Sequence, residues 1–373
     1  MLKIFICFLF LFFSLSLIIN KPIFAQSPTP EVIHPEENYY KAEVINIVSS
    51  ENKGKGEFSN FTQTLEVKFL NGPLEGQTKI AENSGSIKFA EEKKVNIGDK
   101  VIILEINQID NTNYSVWDKY RLDYIFFLVI GFFTLIIIFA GLKGIGSIIG
   151  MITSFIILIG FIVPQILNGH NPLFITILGS ALILIITIFL AHGVSKKTSV
   201  ALTSTVIALT ITGILAYMIV KMMNLTGLGN EDNYMLQIGN VDINAQGLLL
   251  SGIIIGTLGV LDDVTTTQSA AIFEFLKINK KLTITDLFMK GYNVGKDHIA
   301  SLVNTLILAY AGASLALFVI FVLNPNNIPA WVMLNDEMII EEIVRAIVGS
   351  IGLILAVPIT TIIAAYIAKR AIT

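Results

Sequence analysis

From Leu122 to the C-terminus the chain is a succession of apolar runs, each near the ~20 residues that a helix needs to cross a ~30 Å hydrocarbon layer. They lie at 122–142, 145–167, 173–191, 200–220, 247–263, 299–323 and 343–367, which predicts seven transmembrane helices. In lipid every backbone N–H and C=O must be satisfied within the protein, so a run of this kind folds as helix. With 54% hydrophobic and only 14% charged residues among 373, and a mean hydropathy of +0.73, the chain is unlike a water-soluble domain, in which about a quarter of residues are charged.

Ahead of these runs two further segments differ in kind. Met1-Leu2-Lys3, the apolar stretch Ile4 to Ile19 and Ile23-Phe24-Ala25 before Gln26 read as a signal peptide over 1–25, cleaved after Ala25. An uncleaved anchor is the alternative, and both place the chain from Gln26 onward on the same outer side. A Pro- and Glu-rich linker over 26–39 leads into a polar region, 40–116. There Leu65, Val67 and Phe69 alternate with Glu66 and Lys68, Asn71-Gly72-Pro73 stops that strand, and Lys41–Val48, Gln77–Ala81 and Val101–Ile106 are further short strands. The expected fold is therefore mainly α and polytopic, with a small N-terminal extracytoplasmic β-rich domain, a barrel of the OB or a related type.

Charge supplies orientation. With the β domain outside, the inner loops collect Lys143, Lys196, Lys197, Lys277, Lys280, Lys281, Lys290, Lys296, Lys369 and Arg370. The outer loops hold Glu231, Asp232, Asp242, Asp336, Glu337, Glu341 and Glu342, with Lys221 and Arg345 as exceptions. Lys119 and Arg121 also stand on the outer side, just before the first run. This distribution predicts a multi-pass protein with its β domain outside and its C-terminus cytoplasmic. A net charge of -3 offers no field to hold nucleic acid. The lone Cys7 lies in the signal, so thiolate chemistry and disulfides are not expected of the mature chain.

The fifth run departs from the pattern. Fifteen apolar residues, Gly247 to Leu261, meet Asp262-Asp263, after which Val264 to Leu276 resumes with Glu274 as its one charge. An unbroken helix would be ~45 Å long and exceed the bilayer core. Thr265 and Gln268 have the spacing of a capping box, so the expectation is a helix that breaks and restarts. Acids at such a break can hold an ion or a substrate, together with Thr266, Thr267 and Gln268. The plainer reading is that the two aspartates cap a helix at the membrane surface.

Downstream, Thr283 and Asp286 form another box, with Leu282 and Leu287 as its hydrophobic staple, predicting a short amphipathic surface helix. It leads to Asp297 and His298 and to a sixth run carrying Ser301, Asn304 and Thr305. His298 is either a proton relay or a hydrogen-bonded boundary residue. In the seventh run Arg345 stands at helical spacing from Glu341 and Glu342 for an ion pair, and Pro358 predicts a hinge. Gly256 and Gly259, like Gly146 and Gly150, mark close helix packing.

These stretches carry a resemblance. Gly256-Thr-Leu-Gly259-Val-Leu-Asp262-Asp263-Val-Thr-Thr-Thr-Gln268-Ser-Ala-Ala-Ile-Phe-Glu274, then Gly295-Lys-Asp297-His298-Ile-Ala-Ser301-Leu-Val-Asn304, then Glu341-Glu342-Ile-Val-Arg345, resemble the bacterial YibE/F-like membrane proteins. The resemblance extends from the outer domain through the seventh run and implies a polytopic envelope protein of the plasma membrane, of transporter-like architecture.

Three functions compete on these residues. A gradient-driven transporter or permease of an ion or small solute would use Asp262, Asp263, Glu274, Asp297 and His298. An envelope assembly protein would instead bind a protein partner through its outer domain. An intramembrane metal enzyme is the third, but no HExxH, GxSxG or P-loop accompanies the acids. The expectation is a non-enzyme without a cofactor, with the bilayer as its first partner.

Overall fold

The computed structural model describes residues 37–53, 60–86, 93–108, 111–229, 231–238 and 243–370. The expected signal, most of the linker, and Asp242 lie outside them. The chain forms two compact units, one ending at Leu135 and the other beginning at Ile136.

The first unit is a closed barrel of five strands, β1 (Glu37–Lys53), β2 (Asn60–Phe69), β3 (Thr78–Ser86), β4 (Lys100–Gln108) and β5 (Asn111–Lys119), in the order β1-β2-β3-β5-β4. All neighbours are antiparallel except β3 and β5. The alternation in β2 decides its faces: Leu65, Val67 and Phe69 are fully buried with Ala42, Val44, Val101 and Ile103. Each large apolar side chain so buried stabilises the barrel by ~1.5–3 kcal/mol. Gly72 turns with a φ of 79°, and the Tyr40 ring packs so close that a Cβ there would meet it at 2.6 Å. Only glycine combines that φ with that clearance. Inside, the buried Gln63 accepts from Asn83 (2.9 Å) and from the Val95 N–H (3.0 Å), pinning the segment before β4 to the wall. Tyr40 and Tyr114 both donate to Glu105, and burial pushes both phenols above their ordinary range.

In the second unit and the helix leading to it, α1 (Leu122–Ile157) passes through a π-helical turn (Leu158–Ile162) into α2 (Val163–Leu167). The separate runs 122–142 and 145–167 are thus one helical stretch, interrupted at Gly141, whose φ of 57° and ψ of -138° are not helical. The π turn follows from Pro164, which has no N–H to offer the Gly160 carbonyl. Next come α3 (Pro172–His192), α4 (Lys196–Met222), the short α5 (Glu231–Ile238) and α6 (Ala245–Ile278). The chain closes with α7 (Ile284–Ala313), α8 (Leu315–Leu323), α9 (Ala330–Leu334) and α10 (Glu337–Arg370).

Where seven spans are expected, five helices among the described residues are long and apolar enough to cross a membrane, or six if α7 and α8, bent by 67°, form one span. Thr283 and Asp286 make their capping box, and Leu287 is buried. The surface helix does not stop there, however: with no breaker before Ser314 it runs on as α7. Helix α10 likewise continues through Pro358.

The fifth run needs the largest correction. Helix α6 is 34 residues without interruption, ~51 Å long. The box at Thr265 and Gln268 does not form because both side chains find tertiary partners. Thr265 meets the Thr205 hydroxyl at 2.5 Å, and Gln268 donates to the Gly291 carbonyl and to Thr361, each at 2.7 Å. With its caps engaged elsewhere and no proline in the sequence, the backbone keeps its i to i-4 bonds through both aspartates.

Candidate functional site

Helix α6 is the axis of the helical unit, in contact with α3, α4, α7 and α10. Small residues set the approach: Pro172 packs on Gly247, Thr212 on Gly352, Thr257 on Gly349, and Gln268 on Gly295. Buried hydroxyls line this core, and Thr205, Thr212 and Thr257 each donate to a carbonyl of their own helix one turn back.

The Pro172 to Gly247 contact starts α3 and α6 side by side and parallel. Thr187 and Asp262 each lie 15 residues further on, so they stand at one level. Helix α3, with 21 residues, is ~31 Å long, the thickness of the hydrocarbon layer itself. Its length makes it the better ruler of depth than the overlong α6. By that ruler Asp262 lies ~7 Å short of the His192 end of α3.

The side chain of Asp262 is half-buried and has one polar partner, the Thr266 hydroxyl at 3.4 Å. It opens on a cavity of about 320 Å³ whose other polar lining residues are Ser154 and Thr187, amid Phe155, Leu158 and Leu258. Gly259 borders the same space, with nothing near the position of a Cβ. Ser154 and Thr187 donate their hydroxyl protons to Gly150 and Leu184 carbonyls, which leaves oxygen lone pairs for the cavity. An acid and two acceptor hydroxyls suit a cation or a proton-bearing ligand. Leu158, on the π turn, supplies one wall, and such turns recur at functional positions.

The other expected site residues are dispersed. Asp263 and Thr267 are exposed, with Asp263 in electrostatic reach of His192. Glu274 is exposed and paired with Lys277 at 2.6 Å. Asp297 and Asn304 are exposed on α7, while the Nδ1 of His298 is buried without a partner. Gln268 is spent on joining α6 to α7 and α10. Among the described residues no three His, Cys, Asp or Glu side chains gather as a metal site. Arg345 pairs with Glu342 at 3.1 Å, whereas Glu341 turns away to accept from the Gly229 N–H at 3.2 Å. Glu342 also accepts from Ser314, which ties the bend between α7 and α8 to α10. Gly256 receives the Tyr310 hydroxyl where a Cβ would otherwise sit.

Ser154, Thr187 and the π turn escape a reading of the sequence, since two isolated hydroxyls in apolar runs carry no spacing signal. Pro164 was the one available clue.

No curated protein and no solved structure matches this chain. A family profile described as YibE/F-like protein matches residues 128–370, which takes in every helix that builds the cavity and leaves out the barrel. The matched residues include the Asp262, Asp297–His298 and Glu341–Arg345 stretches on α6, α7 and α10, and the chain belongs to the YibE/F-like family.

Proposed function

We propose that this chain is a gradient-driven transporter of an ion or small solute, with Asp262 as its coupling carboxylate. One observation carries the reading: a half-buried acid, in the interior of an unbroken helix long and apolar enough to cross a membrane, faces a cavity. Ionisable groups held in such places pair with something that comes and goes, and line ion and proton pathways. Here the carboxylate alternates between a proton and the transported cation or protonated solute, while Thr266, Ser154 and Thr187 offer oxygens to whichever is bound. Asp263, exposed one residue on, stays outside this exchange. The lysine distribution supports a plasma-membrane protein with the barrel outside and the C-terminus in the cytoplasm. Cys-accessibility labelling at Ser50→Cys and Lys277→Cys, in a chain whose one native cysteine is Cys7, should react from opposite sides.

The deciding experiment is flux into proteoliposomes, scanned across monovalent cations and under an imposed pH gradient. Asp262→Asn should lower the rate by about a hundredfold with normal insertion, and Asp262→Glu should retain part of it. Asp263→Asn should leave the rate within about twofold, since that side chain is exposed and does not line the Asp262 cavity. Equal flux in native protein and Asp262→Asn overturns the reading.

A further inference from the structure

Four cations stand where the barrel continues into α1: Lys41, Lys100, Lys119 and Arg121. Three have counter-charges. Lys41 and Lys100 both reach Asp123, at 3.4 and 2.6 Å, and Lys41 also lies 3.8 Å from the centre of the Tyr120 ring. Arg121 grips Asp118 with two bonds of 2.6 and 3.0 Å, which holds that carboxyl below its usual range. Lys119 is different. Its backbone is engaged by Asp118 and Arg121, but among the described residues its ammonium has no partner.

Nor is Lys119 a fully exposed side chain. A register shift in the pairing of β4 and β5 sets Lys119 opposite the buried Val101, on the inward face of the barrel's end, where it is half-buried. Partial burial of an unpaired charge is costly and is relieved by an anion.

The surroundings say which kind. Lys119 lines a cavity of about 370 Å³, with Lys100, Arg121 and Asp123 on its polar side and Tyr120, Tyr124 and Phe127 on its apolar side. With Asp99 included, three cations face two carboxylates, a net charge of one positive unit. Tyr124 and Phe127, 78% and 70% exposed, are one turn apart at the head of a helix apolar enough to cross a membrane. Trp117, 62% exposed and edge-on to Tyr39 at 5.5 Å, adds the aromatic that favours the headgroup level. Like Lys221 and Arg345, Lys119 and Arg121 run against the lysine asymmetry of the loops.

We propose that this cavity binds an anionic phospholipid, its phosphate against the Lys119 ammonium and its acyl chain along Tyr124 and Phe127. Inorganic phosphate shares the headgroup chemistry but would leave the aromatic side of the cavity unfilled.

The test uses the full chain carrying Trp331→Phe, so that Trp117 is its one tryptophan, in nanodiscs of phosphatidylcholine containing a small fraction of brominated lipid. Brominated phosphatidylglycerol should quench Trp117 at roughly fivefold lower mole fraction than brominated phosphatidylcholine, the preference one basic residue confers at an anionic surface. Lys119→Gln should remove the preference and Lys119→Arg should keep it. Equal quenching by the two lipids, or an unchanged preference in Lys119→Gln, overturns the proposal. So does inorganic phosphate at millimolar concentration abolishing the preference, which would mark a site for free phosphate.

Discussion

Helices α3 and α6 begin side by side, each under an asparagine cap, and then part ways. Asn171 accepts from the Phe174 N–H at 3.2 Å and Asn244 from the Gly247 N–H at 3.0 Å. From there α3 runs 21 residues with no acid or lysine and stops at Gly193, whose φ of 72° ends it. Helix α6 runs 34, passing two aspartates on the way. The same lipid depth is thus crossed once by a helix that is merely apolar and once by a helix with a carboxyl in that zone. Neighbouring helices make the second possible: Thr205, Thr361 and the Gly291 carbonyl satisfy its polar face, and a cavity receives Asp262.

The shared starting level is the part of this comparison most easily broken. Gly247→Leu places a side chain where Pro172 now packs, at 2.7 Å from the site of a Cβ, and should destabilise the bundle by ~3 kcal/mol. Thermal unfolding in detergent reads that loss, and the levelling of Thr187 with Asp262 should shift with it in a disulfide cross-link between cysteines at those positions. Next in size are the caps: Asn171→Ala and Asn244→Ala should each cost about 1 kcal/mol, nearly equal because the two bonds are alike. A large difference between them would mean that the two helix heads are not equivalent. Thr265→Val, which leaves Thr205 without its cross-helix partner, should cost ~0.6 kcal/mol. Asp263→Asn should change stability by less than ~0.5 kcal/mol, as befits an exposed side chain.

Much of α3 can be read directly from its residues, because its ends are made locally. Asparagine before proline starts it, and glycine after histidine stops it. The same holds for the Thr283 and Asp286 box and for four of the five strands. Helix α6 is harder to read, because Thr265 and Gln268 have the spacing of a cap and lose it to partners 60 and 93 residues away in the chain. Strand β5 is missed for a related reason. Asn-Thr-Asn-Tyr-Ser looks like loop, and its place comes from pairing with β4 and, in parallel, with β3. At the site, Asp262 is visible as a charge in an apolar run. The hydroxyls of Ser154 and Thr187 become its companions only once α1 and α3 are packed antiparallel, Gly150 against Thr187 and Gly146 against Leu190. The family match narrows the resemblance read from the motifs, since it begins at 128 and the barrel stands outside it.

Because α6 outlasts α3 by 11 residues, and α10 ends level with it beside the head of α7, three rods run ~16 Å past the end of α3. They are fastened at the tip, where Lys369 donates to the Lys280 carbonyl at 3.1 Å. Ile272, Leu276, Leu287, Ala364, Ala365 and Ala368, with Val200 of α4, fill the space between them, an oily seam closed by the protein's own side chains. Stripping away the bilayer therefore removes nothing that this knob depends on, and its amides should resist deuterium in any mild micelle, making it a firm handle for antibodies or for attached dyes.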